Sequence, residues 1–364
     1  MRRIGLLMAL TIGLTLAAVR PARATAFGEV GTCDAPLKTF PTISAAVSAA
    51  PSGATIIVCP GVYPEQVTIN KPLTLLGDIS PKTNTARPVI AAPPPSQGLG
   101  VNVTSIFGLS FAAQVLVTAG PVNIDNITVD GTGVVEFGGG CVAGIFYASG
   151  SSGIVDAVTT RNQTSNSCST GIWAENGSAS DESVEIADSS VHHFDGTGIF
   201  AGSNQSPSTL AAIIKANGTD GGEEGIESRG AASSMTNNVV TSASSTGIAI
   251  ALEGGVVTSN TVAKSTVGIL VEAPASVSGN ALWDNTTGIE LLAATNMQLY
   301  QNRILGGRTA IEFNCIAPFT LKNNFLNDAT TGFADVPSGF TLPFNHYVNV
   351  NQIKTVCGAG GPGQ

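Results

Sequence analysis

The chain has 364 residues, a formal charge of −9 at pH 7, and 43 Gly against only 16 Lys and Arg. An acidic chain this poor in cations is excluded as an electrostatic binder of nucleic acid or of an anionic membrane. A polyanionic partner is also disfavoured unless Ca²⁺ bridges the two; no other cofactor is implied.

Residues 1–24 read as a secretory signal peptide. Arg2 and Arg3 precede the apolar run Ile4 to Val19, and Ala22-Arg23-Ala24 is a small-x-small cleavage site. Its removal takes away four Arg and no acids, so the formal charge becomes −13. No other run approaches the ~18 apolar residues of a membrane span. The expectation is a secreted or periplasmic protein with no membrane insertion after cleavage. All six Cys lie beyond this segment, an even number that predicts disulfides.

Residues 25–60 read as an N-terminal cap and first strand. Thr42 to Pro51 is a short amphipathic helix with Thr42 as N-cap and Pro51 as stop, and Ala54 to Val58 is a strand. Leu73 to Leu76 is another strand. Residues 78–113 break the pattern, with Pro93-Pro94-Pro95 and several Gly marking a long excursion, either a functional lid or a plain loop. Val115 to Val117 and Asn126 to Val129 return to strand pattern.

From Gly144 a single phrase recurs: Gly144-Ile145, Gly171-Ile172, Gly198-Ile199, Gly225-Ile226, Gly247-Ile248, Gly268-Ile269, Gly288-Ile289, Ala310-Ile311 and Gly332-Phe333, in steps of 27, 27, 27, 22, 21, 20, 22 and 22 residues. Asn238, Asn260, Asn280, Asn302 and Asn324 keep the same period, with apolar residues three before and two after each. A period of this size marks a solenoid. The spacing of a leucine-rich repeat is missing, and 43 Gly exclude a helical repeat. Apolar residues two apart are strand residues. The prediction is an all-β coil of about 12 parallel turns over residues 61–357, a rod roughly 55–60 Å long. The Ile column would form its interior, and the Asn column a side-chain amide ladder suited to left-handed corners. Cys141 and Cys168 lie 27 apart, one turn, so they fall on adjacent turns. Cys33 and Cys59 bracket the N-terminal segment. Cys315 and Cys357 would tie down the C-terminal end, with 358–364 as a flexible tail.

This pattern resembles the right-handed parallel β-helix of the pectin lyase-like superfamily. The segment Gly61-Val62-Tyr63-Pro64-Glu65 is similar to the Gly-x-Tyr-x-Glu of pectinesterases. It is also common in β-helix proteins without that activity, so Glu65 reads as structural. The Asp-Phe-x-Phe-Gly and Leu-Gly-Arg-Pro-Trp segments of pectinesterases are missing, as are the Asn-Thr-Asp, Asp-Asp, Gly-His-Gly and Arg-Ile-Lys set of polygalacturonases and the Asp-Pro-His of alginate epimerases. No Cys, Met or His cluster matches the copper-processing β-helix proteins. His192-His193 would point to opposite faces of a strand, a poor two-ligand site, and His346 is isolated, so no metal site is expected.

Three turns carry extra residues after the Gly-Ile strand, at 148–153, 176–182 and 202–209, all Gly-, Ser-, Asn- or acid-rich and therefore loops. The residue after each repeated Ile points outward. In the three long turns it is Phe146, Trp173 and Phe200, followed by Glu227, Ala249, Leu270, Glu290 and Glu312. This aromatic stripe is either a sugar platform or, where the loops fold over it, a satellite core. The nearby acids are Glu175, Asp181, Glu182, Asp195, Glu223, Glu224 and Glu227, and the nearby cations Arg229 and Lys215. Asp195 and Glu224 occupy corners one turn apart and form the candidate acid–base pair. Phe146, Trp173, Phe200 and Arg229 are the candidate substrate contacts. The function expected is an exported β-helix that binds, and cleaves or modifies, a polysaccharide; the alternative is a non-catalytic envelope or surface scaffold.

Overall fold

The structure is a computed structural model that describes residues 26–33, 37–78, 86–292, 296–316, 320–342 and 344–357. The expected signal peptide and C-terminal tail lie outside these residues. Three long sheets run the length of a right-handed coil, each built by stacking the same strand of successive turns. The first sheet has 13 strands and runs from Thr39–Phe40 and Gly28–Val30 through Ala54–Val58 to Thr320–Lys322. The second contains the Gly-Ile column and runs from Val67–Ile69 to Gln352–Val356. The third has 12 strands, from Val62–Pro64 to His346–Val348.

The registers follow the repeat. Ile145, Ile172, Ile199, Ile226, Ile248, Ile269, Ile289, Ile311 and Phe333 are successive partners in the second sheet. All are 0% exposed, so the phrase is the spine of the core. The Gly that precedes all but one Ile of the column allows close approach: a Cβ on Gly247 would lie 2.2 Å from Val262 Cγ1, while Ala310 stands before Ile311.

The Asn ladder is continuous and longer than its spacing suggested. Asn238 Nδ2 donates to Asn260 Oδ1 at 2.9 Å, Asn260 to Asn280 at 3.1 Å, Asn280 to Asn302 at 2.9 Å and Asn302 to Asn324 at 3.0 Å. Asn217 and Asn345 extend it at either end. Each amide also donates to a main-chain carbonyl, as Asn260 does to Met235 O at 2.9 Å. The left-handed corner is held by the residue before the ladder Asn, namely Asn237, Ser259, Gly279, Gln301 and Asn323, and not by the ladder residue itself. The ladder Asn is chosen for its two donors and two acceptor lone pairs, all used in the buried corner.

The coil is closed at its first turn by the helix Ile43–Ala49, which buries Ile43, Ala46 and Val47. Thr42 Oγ1 accepts from Ala45 N. Glu65 supplies the rest of the cap: its carboxylate accepts from Ile43 N at 2.7 Å and Ser44 N at 2.9 Å. Tyr63 of the same segment donates to Cys59 O at 2.8 Å. The Gly-x-Tyr-x-Glu segment therefore fastens the helix to the first turn. At the other end Phe340 packs on Phe313, and Tyr347 on Phe333, closing the last turn with rings. Disulfides join Cys33 to Cys59, Cys141 to Cys168 and Cys315 to Cys357.

The irregular segment near residue 100 leaves the coil as a hairpin. Val103–Thr104 pairs antiparallel with Ser110–Phe111, the start of a second-sheet strand. Its tip, Ser105 to Leu109, lies across the outer face of the second sheet as a strap.

Candidate functional site

The outward row of the second sheet is in register as read from the sequence: Leu116, Phe146, Trp173, Phe200 and Glu227 are successive partners. The rings stack, with centroids 5.9 Å apart for Phe146–Trp173 and 3.7 Å for Trp173–Phe200. They are not an open platform. Phe146, Trp173 and Phe200 are 0%, 6% and 2% exposed. Phe107 from the strap packs edge-on to Phe200 at 5.5 Å, and Phe111 lies 4.8 Å from Trp173. The stripe is a second hydrophobic core outside the coil. The physical reason is the strap: stacked aromatics left in water would forgo a few kcal/mol per ring, and Phe107 and Phe111 recover it.

Glu175 anchors this cover. It lies two residues beyond Trp173 on the strand Thr170–Asn176 and is 2% exposed. One oxygen accepts from Ile106 N of the strap at 3.0 Å, the other from Trp173 Nε1 at 2.8 Å. Burial pushes its carboxyl up to about 7, while the two donated hydrogen bonds pull the other way. Gly202 makes room, since a Cβ there would lie 2.7 Å from Phe107 Cε2.

Where the strap ends, a pocket of about 240 Å³ opens. Its apolar wall is Phe107, Leu109 and the edges of Trp173 and Phe200; its polar wall is Glu224, Glu227 and Arg229. Glu224 and Glu227 both face out of the strand Glu224–Arg229 although they are three residues apart, with Ile226 directed to the core between them. The Glu224 carboxyl stands beside that of Glu227, close enough that both cannot comfortably carry a charge. Burial, then the charge and hydrogen bond of Glu224, push Glu227 up to about 8, so Glu227 keeps its proton. Arg229 Nε sits 3.2 Å from Glu227 Oε1 and is half exposed. Thr197 Oγ1 donates to Glu224 Oε2 at 3.4 Å.

The expected acid–base pair of Asp195 and Glu224 stands on adjacent turns, where Asp195 O accepts from Glu223 N at 3.0 Å, but only Glu224 faces the pocket. Asp195 is exposed, lies in the corner, and does not line the pocket. The partner of Glu224 across the turn is Thr197, two residues further on. Lys215 also stands elsewhere, paired with Glu185 at 2.7 Å on the first sheet. Of the substrate contacts expected, Arg229 faces the pocket openly, Trp173 and Phe200 offer edges only, and Phe146 is fully enclosed. Glu227 was legible as an outward residue in the aromatic row. Phe107 and Phe111 had no periodic signal, only their apolar character inside a Gly- and Pro-rich segment.

A shallow groove of about 350 Å³ on the third sheet is lined by Ser190, His192, His193, Asp220 and Thr241 among others. The histidines do not point apart. His193 has φ of 55°, and its Nδ1 lies 3.1 Å from that of His192. The left-handed bend turns the second side chain back beside the first.

Among the described residues no helix is long and apolar enough to cross a membrane. Residues 206–353 match the family model of the right-handed β-helix region. No curated protein matches the chain. Among solved structures, the GH136 lacto-N-biosidase from Eubacterium ramulus is similar with a TM-score of 0.56 at 10% identity, over 83% of this chain and 62% of that one. The A-module of mannuronan C-5 epimerase AlgE4 from Azotobacter vinelandii gives a TM-score of 0.48 at 17% identity, over 85% and 90%. The catalytic unit of the GH87 α-1,3-glucanase from Streptomyces thermodiastaticus gives 0.46 at 14%, over 87% and 64%. Three stacked sheets, the buried Ile column, the Asn ladder and the family match over residues 206–353 together give this chain the right-handed parallel β-helix fold.

Proposed function

We propose that this is an exported protein that binds a polysaccharide across the outer face of the second sheet, and that Glu227 serves as a proton donor to the sugar held beside the strap. The pocket carries the reading: an apolar wall, a protonated carboxyl and a half-exposed guanidinium converge on a space of about 240 Å³. That volume suits one sugar ring, so a polymer would lie along the open face with one residue seated. An acid that keeps its proton near neutral pH is what protonation of a glycosidic oxygen requires. Two carboxyls that share a proton stand closer than the roughly 5–9.5 Å that acid and base or nucleophile span in glycoside hydrolysis, and the upward push of Glu224 on Glu227 favours such sharing. Glu224 is therefore read as the group that holds the proton on Glu227, and not as the base. The negative charge of the chain favours a neutral polymer. Three disulfides fit an oxidising compartment outside the cytosol.

The test is release of new reducing ends from a panel of neutral and acidic polysaccharides, with and without Ca²⁺, alongside a binding assay. Release from one polymer, lost on Glu227→Gln with binding retained, is the expected outcome. Neither release nor binding for any polymer would overturn the proposal. Binding without release would remove the proton-donor role. One observation favours the alternative, a non-catalytic surface scaffold: the strap buries the three rings that a sugar platform would expose.

A further inference from the structure

His192 and His193 lie far from the aromatic row, on the third sheet, and nothing in the polysaccharide reading uses them. His192 stands in an outward row of that sheet: Asp130, Arg161, His192, Asp220 and Thr241 are successive register partners. His193 takes the left-handed conformation, φ of 55°, within the strand Ser190–Phe194 and bends it there. One turn earlier Asn162 holds the same bend with φ of 60°, and its side chain also folds back, donating from Nδ2 to Asp130 Oδ1 at 3.0 Å. The bend therefore sets adjacent side chains on one side of the rod, where a regular strand would separate them.

The rings meet at 77° with centroids 5.2 Å apart and Nδ1 atoms 3.1 Å apart. Metal–nitrogen bonds of about 2.0–2.1 Å to two such atoms would enclose roughly 100°, close to tetrahedral. The groove beside them is open, because Gly218 places nothing within 4 Å of where its Cβ would stand. Asp220 is the direct register partner of His192. Its carboxylate now accepts from Thr241 Oγ1 at 2.6 Å, and a side-chain rotation would turn it toward the imidazoles.

We infer that His192 and His193 chelate one divalent transition ion of the Zn²⁺ or Cu²⁺ type through their Nδ1 atoms, with Asp220 as third ligand and water completing the shell. Two imidazoles with one carboxylate select borderline transition ions over Ca²⁺ or Mg²⁺, which prefer oxygen. On binding, the imidazole that now carries its proton on Nδ1 takes the Nε2–H tautomer, so both rings bind as neutral ligands.

The test is calorimetric titration of Zn²⁺ into the untagged chain, with Mg²⁺ as control. The expected result is one site per chain, weakened at least ~10-fold by His192→Ala and by His193→Asn, and less by Asp220→Asn. Asn at 193 keeps the left-handed bend, as Asn162 does one turn earlier, and circular dichroism would confirm the fold. His346→Ala should leave binding unchanged. In the unsubstituted chain, Cu²⁺ should show coupling to two imidazole nitrogens by electron paramagnetic resonance. Absence of Zn²⁺ binding, binding that survives either His substitution, or coupling to a single nitrogen would overturn the inference.

Discussion

At the scale of one residue, Glu227 makes stability depend on pH in an unusual direction. Its folded carboxyl is held at about 8 against an ordinary 4.5. Below pH 4.5 both folded and unfolded chains keep the proton. Between 4.5 and 8 the unfolded chain releases it while folded Glu227 retains it, so stability falls as pH rises through that window and levels off above it. Glu175, pushed up to about 7, adds to the same slope. Glu227→Gln removes the first contribution while Gln can still donate to Glu224. The variant should melt higher than the parent at pH 8, by on the order of 3 kcal/mol, and match it near pH 4.5. Thermal unfolding followed across pH 4.5–8.5 checks this; a parallel pH profile for both proteins would show that Glu227 is ionised in the fold.

At the scale of an element, the ladder and the strap differ in how they could be read. The Asn260 side chain makes four hydrogen bonds at once: its Oδ1 accepts from Asn238 N and Nδ2, and its Nδ2 donates to Met235 O and Asn280 Oδ1. Asn260→Ala strands the buried donors Asn238 N and Nδ2 and the acceptor Met235 O, and should cost about 2–4 kcal/mol in denaturant unfolding, with Asn→Ala at an exposed position as the reference. Every turn repeats these demands, so the ladder and the Ile column were visible as a period. The strap occurs once. Its placement depends on Phe107 meeting Phe200 and on Ile106 N meeting Glu175, contacts across 93 and 69 residues that no local pattern encodes. For the same reason outward direction was legible for Phe146, Trp173 and Phe200 but their exposure was not, and Glu224 was assigned a partner by corner position when strand register gives it Thr197. The strap offers its own test. Gly202→Val places a side chain where Phe107 now sits. In a Trp283→Phe background, where Trp173 is the remaining Trp, the emission should shift red and become quenchable by iodide. Unchanged emission would mean that the strap seats without Gly202.

At the scale of the whole molecule, the rod is a stack in which each turn touches only its two neighbours, so stability is a sum of local terms and damage stays local. The ends are the weak places, since a terminal turn has one neighbour instead of two. The chain compensates there with closures that interior turns lack. The Glu65-capped helix and Cys33–Cys59 hold one end; the Phe313, Phe333, Phe340 and Tyr347 rings with Cys315–Cys357 hold the other. Cys315–Cys357 spans 42 residues, the longest of the three loops, and joins the strand Gln352–Val356 to the preceding turns. Replacing both cysteines with Ser should free that strand at a cost of about 2–4 kcal/mol by the loop-entropy estimate. Hydrogen exchange should then accelerate at Gln352–Val356 and Thr331–Val336, which pair with each other. The turns from Asn238 to Ile304 should keep their protection, because the ladder and Ile column hold them without reference to the end. Acceleration spread evenly along the rod would instead mean that the turns unfold as one cooperative unit, and that the closures at the two ends stabilise the middle as much as themselves.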